Sequence, residues 1–525
     1  MQSPLDDDRR HRGGEPRPTS VAELVSRAAA RFPDHPGVVD VALGRTATWA
    51  QLESAVAAEA ARLRAAGVGS GDRVVVRLQG GLSFCVAVLG ALRAGAIAVP
   101  HGPVAVGREL ELFLADCAPR VVVAPADDRA AAAAAGPALL PPPDVALGSG
   151  AAPVVDEPDV APEAEDIALL VYTSSATGRP RGVRLSHRAV LANRAQTAGL
   201  HPAPVTPADR VLLALPLFHV LGLNAGLLQV CWSGATAVLT DRTEPRHLAE
   251  VVAAQRVSSV LALPSVYRAL LDLPDGELRT AFAGVRLCAS GGAPLPPRWQ
   301  AGFRAVTGLP VLESYGLSEA GPLVTMNGFG GLAKPGSVGR ALPGVELRLV
   351  DAAGHPLDEA TDDEDEAELS HGGEDTGLIA VRGANLFSGY WPDGAGGPDA
   401  DGWFRTPDVG FLDADGDLHL VDRSPDLVIV NGFNVYPHEV EQVLCELAGV
   451  VDAAVVGIPD DRTGEAVKAV VVAEPGAGLN EPDVRAHCAA RLARFKAPAV
   501  IEFVDALPRT PTGKVARRQL AGEAP

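Results

Sequence analysis

Residues 172–183 read Tyr-Thr-Ser-Ser-Ala-Thr-Gly-Arg-Pro-Arg-Gly-Val, a segment whose groups suit an anion. Hydroxyls at Thr173, Ser174, Ser175 and Thr177, open backbone at Gly178 and the cations Arg179 and Arg181 could together wrap phosphate oxygens. The segment is not a P-loop of the GxxxxGK[ST] kind, because no Gly-Lys-Ser/Thr closes it. Alone it is equally an ordinary polar turn, so the rest of the chain has to decide.

The loop needs a strand to deliver it, and the apolar run Ile167-Ala168-Leu169-Leu170-Val171 reads as a buried one. Upstream, residues 49–66 form an amphipathic helical pattern, Gly71-Asp72 turns the chain, and residues 73–78 form another strand. Further strand–helix units follow at 210–233, 235–256 and 259–273, which predicts a mostly parallel sheet covered by helices. Past Pro335 the pattern changes to short strands and Gly turns, a small β-rich subdomain over about 335–423. A last unit, 424–525, contains a helix over 437–448, strands at 453–457 and 466–472, and a helix over 481–492. The fold class is therefore α/β: a large N-terminal domain (21–423) of layered α/β subdomains with the β-rich subdomain, then a small α+β C-terminal domain. A chain of 525 residues is in any case too long for one core.

Composition excludes several classes. The net charge is 45 minus 65, or −20, which argues against nucleic acid as a partner. Residues 1–20 hold Asp6-Asp7-Asp8 and Arg9-Arg10 without the apolar core of a signal peptide, and are expected to be disordered. The most apolar stretch, 84–100, is interrupted by Arg93 and Gly95 and falls short of the roughly 20 residues a membrane span needs. A soluble, cytoplasmic protein is expected. Six scattered cysteines without CxxC pairing read as buried thiols rather than zinc ligands or disulfides. Residues 358–375 carry ten acidic groups and read as a solvated surface loop.

Downstream motifs give the phosphate loop its context. Pro216-Leu217-Phe218-His219 follows a strand. Ser290-Gly291-Gly292-Ala293-Pro294-Leu295 ends another, where small residues would let a flat base approach the backbone. Then come Glu313-Ser314-Tyr315-Gly316-Leu317-Ser318-Glu319, Thr406-Pro407-Asp408-Val409-Gly410, Asp422-Arg423-Ser424-Pro425-Asp426, Gly432-Phe433-Asn434-Val435-Tyr436-Pro437 and Pro511-Thr512-Gly513-Lys514-Val515. In this order and spacing they resemble the adenylate-forming (AMP-binding) superfamily, in its acyl-CoA synthetase and fatty-acid–CoA ligase branch, over about residues 20–518. The family's phosphate loop is usually Y-T-S-G-T-T-G-x-P-K-G-V. Here Ser175 replaces a Gly, Ala176 a Ser or Thr, and Arg181 a Lys.

The resemblance implies an acid–thiol ligase that uses ATP, Mg²⁺ and coenzyme A. Joining a carboxylate to the α-phosphate of ATP brings anions together, so the site must neutralise charge and align the attack. Thr173, Ser174, Ser175, Thr177, Gly178 and Arg181 would hold the β- and γ-phosphates, and Glu319, with Thr177, would bind Mg²⁺. Gly291, Gly292, Ala293 and the 313–318 segment (Glu313, Ser314, Tyr315, Gly316, Leu317, Ser318) would surround the adenine, with Tyr315 stacked on it. Asp408 would accept from the ribose hydroxyls, with Arg423 nearby, and Lys514 would bring positive charge to the α-phosphate and the carboxylate.

Phe218, His219 and Gly222 would border the acyl pocket, although His219 is equally a satisfied core histidine. The Pro-Leu-Phe-His element favours fatty or aromatic acids, and no Asp stands at 218–224 to meet an α-ammonium. In the family the C-terminal domain is mobile and turns between the two half-reactions, bringing Gly432, Phe433 and Asn434 to the thiol side. Its pivot falls on Pro425, whose ring fixes φ, so slow thioester formation is expected. Two alternatives stay open: a ligase that loads an acyl carrier protein, and a catalytically weakened nucleotide- or acyl-binding homologue.

Overall fold

The computed structural model describes residues 17–522 apart from 104–107, 129–130, 132–138, 146–161, 174–180, 329–332, 352, 358–369, 372–373, 424–427, 431–432, 461–463, 493 and 511–513. Ser174, Ser175, Thr177, Gly178, Pro425, Gly432 and most of the acidic run lie outside the described residues. For Arg423, Phe433 and Asn434 only the backbone is described.

Two sheets carry the large domain. In the first, strands Leu139–Leu140, Val121–Val123, Arg73–Arg77, Ile97–His101 and Ile167–Thr173 run parallel, and Arg181–Ser186 closes the edge antiparallel. Their Val- and Leu-rich strands are buried on both faces, as a helix-covered parallel sheet requires. The second sheet has nine strands. Its parallel centre, from Val311–Gly316 through Leu287–Ser290, Ser259–Ala262, Arg210–Ala214 and Thr236–Leu239 to Pro36–Asp40, ends in antiparallel strands on both sides.

Helices Trp49–Ala65 and Leu82–Arg93 pack in the core that joins the sheets. The second is buried almost all round, which accounts for its apolar sequence. No helix among the described residues is long and apolar enough to cross a membrane. All six cysteines are free thiols.

The β-rich subdomain is a four-stranded antiparallel sheet of Val345–Val350, Gly377–Gly383, Trp403–Leu412 and Leu418–Arg423. The C-terminal domain sets strands Val428–Val430, Phe433–Val435, Val450–Asp460, Gly464–Ala473 and Val500–Phe503 against helices Pro437–Glu446 and Glu481–Ala489, around a core of its own.

Three details differ from expectation. Residues 17–20 are not uniformly loose: the Glu23 carboxylate accepts from Thr19 N and Ser20 N, both at 3.0 Å, and Ser20 is buried. Within the acidic run, Ser370–His371 pairs antiparallel with Glu374–Asp375. The helix expected over 221–233 begins as a π-helix, Leu221–Leu228, before α-helical Gln229–Ser233. Gly222 lets it lie against the preceding turn, where a Cβ would come within 2.4 Å of the Pro216 carbonyl oxygen.

Candidate active site

Thr173 and Arg181, the flanks of the phosphate loop, face each other across an antiparallel strand pair. The Arg181 guanidinium lies 3.5 Å from the ring centroid of Tyr390. The Tyr390 hydroxyl donates to Glu319 Oε1 at 2.7 Å. Burial and the neighbouring Glu319 charge hold this phenol well above its ordinary pKa, so it remains a donor. Glu319 sits on a single 3₁₀ turn, Ser318–Ala320, closed by Gly321 in the left-handed region at φ 69°. A half-exposed carboxylate with one oxygen fixed by Tyr390 is the hard donor that Mg²⁺ takes, so the residues present fit that ion.

The segment expected to face the base lies where Leu287–Ser290 ends. Gly292 has φ 84°, the left-handed region that favours glycine, and a Cβ on Gly291 would stand 2.7 Å from Ser314 Oγ, so each position calls for glycine on its own ground. Ser314 Oγ donates to the Ser290 carbonyl at 3.1 Å, joining adjacent strands. Glu313 is buried and accepts the Leu295 N–H at 2.9 Å, which fixes the loop holding Ala293. Burial pushes its pKa up to about 7, against that hydrogen bond and the charge of His438 from the C-terminal domain. The Leu317 N–H donates to the Pro322 carbonyl at 3.0 Å, holding the bend that begins at Gly316.

Asp408 lies on Trp403–Leu412, directly across from Arg423 in register. It is buried and accepts the Tyr315 hydroxyl at 2.7 Å. Tyr315 itself is only 6% exposed and packs among Leu323, Val338 and Leu342. What the structure displays for Tyr315 is therefore the orienting of Asp408.

The segment expected to border the acyl pocket begins after Arg210–Ala214. The rings of Phe218 and His219 lie 4.7 Å apart. Phe218 rests on Gly102, where a Cβ would stand 2.7 Å from the ring. His219 Nε2 is buried without a hydrogen-bond partner among the described residues. Its pKa is lowered to about 4, first by burial and then by the charge of Lys514, so the imidazole is neutral at pH 7. Lys514 is exposed, and its carbonyl accepts the Thr510 N–H at 2.7 Å.

Sequence reasoning missed Tyr390 and His101. Tyr390 belongs to none of the quoted motifs, and its only signal is a pair of aromatics after Gly389. His101 ends the strand Ile97–His101, and burial beside Arg77 lowers its pKa to about 4, giving a second neutral imidazole near His219.

Comparisons with known proteins identify the family. The family described as AMP-binding enzyme matches residues 25–391, and that described as AMP-binding enzyme C-terminal domain matches 439–514. A long-chain-fatty-acid–CoA ligase of Escherichia coli O157:H7 is 32% identical over 550 residues, covering 96% of this chain and 94% of the relative. A 3-[(3aS,4S,7aS)-7a-methyl-1,5-dioxo-octahydro-1H-inden-4-yl]propanoyl:CoA ligase of Mycobacterium tuberculosis is 34% identical over 535 residues, covering 95% and 98%. The crystal structure of ATP-bound MatB from Rhodopseudomonas palustris superposes with TM-score 0.84 at 32% identity, covering 95% of this chain and 98% of that one. The chain belongs to the AMP-binding enzyme family and is an acyl-CoA synthetase, an AMP-forming acid–thiol ligase.

Proposed function

We propose that this enzyme activates a fatty or aromatic carboxylic acid as its adenylate and transfers the acyl group to coenzyme A. In the first step a carboxylate oxygen of the acid attacks the α-phosphorus of ATP, and pyrophosphate leaves. In the second, the thiol sulfur attacks the acyl carbon, the thiol proton is lost to solvent and AMP departs. The observation that carries the reading is the array at the flank of the phosphate loop, where the Arg181 guanidinium lies 3.5 Å from the Tyr390 ring centroid and the Tyr390 hydroxyl donates to Glu319 Oε1 at 2.7 Å.

Lys514 supplies positive charge where carboxylate and phosphate meet. Thr173 and Arg181 hold the outer phosphates from one side. Asp408, oriented by Tyr315, accepts from the ribose hydroxyls, and Gly291 and Gly292 admit the base. Mg²⁺ at Glu319 would neutralise phosphate charge. Glu313 acts indirectly, by fixing the 291–295 loop. The acid preference rests on the neutral His219, the Phe218 ring and the lack of an acidic residue at 218–224. The names of the relatives, among them long-chain-fatty-acid–CoA ligases, support the same class.

The test is ATP–pyrophosphate exchange with short- to long-chain fatty acids, benzoates, dicarboxylates and amino acids, followed by product analysis with coenzyme A or a pantetheinylated carrier protein. Exchange with fatty or aromatic acids and thioester formation on coenzyme A are expected. Exchange with no acid would overturn the reading in favour of a binding homologue, and thioester formation only on the carrier would replace the acceptor.

A further inference from the structure

Lys514, the cation proposed to act in adenylation, is exposed and belongs to the C-terminal domain, so something has to fix where that domain sits. Arg298 is the second residue of the helix Pro297–Thr307, in the large domain. Its side chain reaches into the C-terminal domain. Nη1 donates to the carbonyls of Cys445 at 3.0 Å and Val450 at 2.8 Å, and Nη2 donates to the carbonyl of Val451 and meets Cys445 Sγ at 3.5 Å.

Those carbonyls lie in the last turn of the helix Pro437–Glu446 and at the start of the strand Val450–Asp460. The last carbonyls of a helix lack partners within it and carry its negative end. A planar, permanently charged fork with several donors suits this group of acceptors better than a point charge does.

The same helix is tied to Lys514. Glu441, one turn before Cys445, accepts from both terminal nitrogens of Arg517, Nη2 reaching Oε2 at 3.1 Å. Arg517 stands three residues after Lys514 and also donates to the Val455 carbonyl. The other end of the helix carries His438, whose charge acts on buried Glu313 of the large domain. A continuous run of contacts therefore leads from Arg298 through the helix and the Glu441–Arg517 pair to the catalytic loop.

We infer that Arg298 is a positioning residue for adenylation: by clamping the carbonyls of 445, 450 and 451 it docks the C-terminal domain so that Lys514 stands beside His219. The inference rests on the catalytic role proposed for Lys514. Arg298 makes none of its described contacts with the candidate nucleotide-binding residues, so its effect should be on the rate of the first step rather than on ATP affinity.

The experiment is pyrophosphate exchange in Arg298→Ala, Arg298→Lys, Lys514→Ala and the Arg298→Ala/Lys514→Ala double variant. Arg298→Ala should lower kcat for exchange by about 10- to 100-fold, the scale on which a small misplacement of a reacting group is felt. KM for ATP should stay within about twofold, since uniform binding is untouched. Arg298→Lys should fall between, and it decides the matter if the alanine variant does not fold. The double variant should be no slower than Lys514→Ala by more than about twofold, because residues acting as one unit are not additive. Multiplied losses in the double variant, a loss accompanied by a weakened KM for ATP, or undiminished exchange in both Arg298 variants would each overturn the inference. Full exchange in Lys514→Ala would instead remove the catalytic assignment on which it rests.

Discussion

The two halves of the site are built in opposite ways. In the large domain each polar group is buried or pinned by a neighbour: Asp408 by the Tyr315 hydroxyl, Glu319 by Tyr390, Glu313 by the Leu295 N–H. In the C-terminal domain the group proposed to act in adenylation, Lys514, is exposed, and the nearby Arg517 pairs with Glu441. Groups that recognise a fixed shape work best when already oriented, because no reorganisation is needed when the nucleotide arrives. A cation kept in solvent avoids the desolvation cost of a buried ammonium, and on the proposed reading it meets its anionic partners from the C-terminal domain.

Breaking the delivered half should give the largest effect. Lys514→Ala is expected to slow pyrophosphate exchange by about 100-fold or more, the size seen when a group stabilising transition-state charge is removed. Thermal unfolding should hardly change, since surface substitutions usually stay within about 0.5 kcal/mol. Breaking the fixed half should cost both activity and stability. Asp408→Ala takes the 2.7 Å acceptor from the buried Tyr315 hydroxyl and leaves it Thr406 Oγ1 at 3.3 Å, so a loss of about 1 kcal/mol on denaturant unfolding should accompany a raised KM for ATP. If Asp408→Ala proves as stable as the wild type, the fixed half is not fixed in this sense.

Smaller effects sharpen the contrast. Tyr390→Phe keeps the ring under Arg181 and removes only the hydroxyl on Glu319. One such hydrogen bond is worth about 1 kcal/mol, so a roughly fivefold rise in the Mg²⁺ needed for half-maximal exchange is expected. Titrating Mg²⁺ at saturating ATP checks it.

Glu313→Gln should move activity least and show itself in the pH dependence of stability. With its carboxyl titrating at about 7 in the fold against 4.5 otherwise, the folded state binds more protons between those values. Stability therefore falls as pH rises through about 4.5 to 7 and levels off above, by a total on the order of 3 kcal/mol. The amide of Glu313→Gln imitates the protonated acid at every pH and escapes this loss. Unfolding midpoints of wild type and variant should therefore lie close together at the lower end of the window and separate towards its upper end, the variant being the more stable there. Parallel curves across the window would assign the pH dependence to other groups.

The same division governs how much of the molecule is legible in its sequence. Strand–helix alternation predicts the α/β layers, because a buried parallel strand such as 167–171 must be apolar on both faces. The residues of Glu313–Glu319, Asp408 and Lys514 are legible because each lies in a short local motif. Tyr390 and Arg298 are not, since their roles arise from contacts between segments distant in the chain: Tyr390 with Glu319, and Arg298 with 445–451. The π-helix at Leu221–Leu228 escapes for a related reason, its apolar sequence being compatible with an ordinary helix.

The contact between Gly102 and Phe218 bears on how such an enzyme changes diet. One methyl at position 102 would meet the Phe218 ring at 2.7 Å and oblige it to move, while Asp408, Tyr315 and Glu319 keep their described partners on other segments. On the proposed assignment of Phe218 to the acyl side, that wall can thus be reshaped by a single codon change while the partners of Asp408, Tyr315 and Glu319 stay in place. Selection can act on the two independently, so a lineage built on this frame can acquire new acids while its adenylation chemistry is inherited intact.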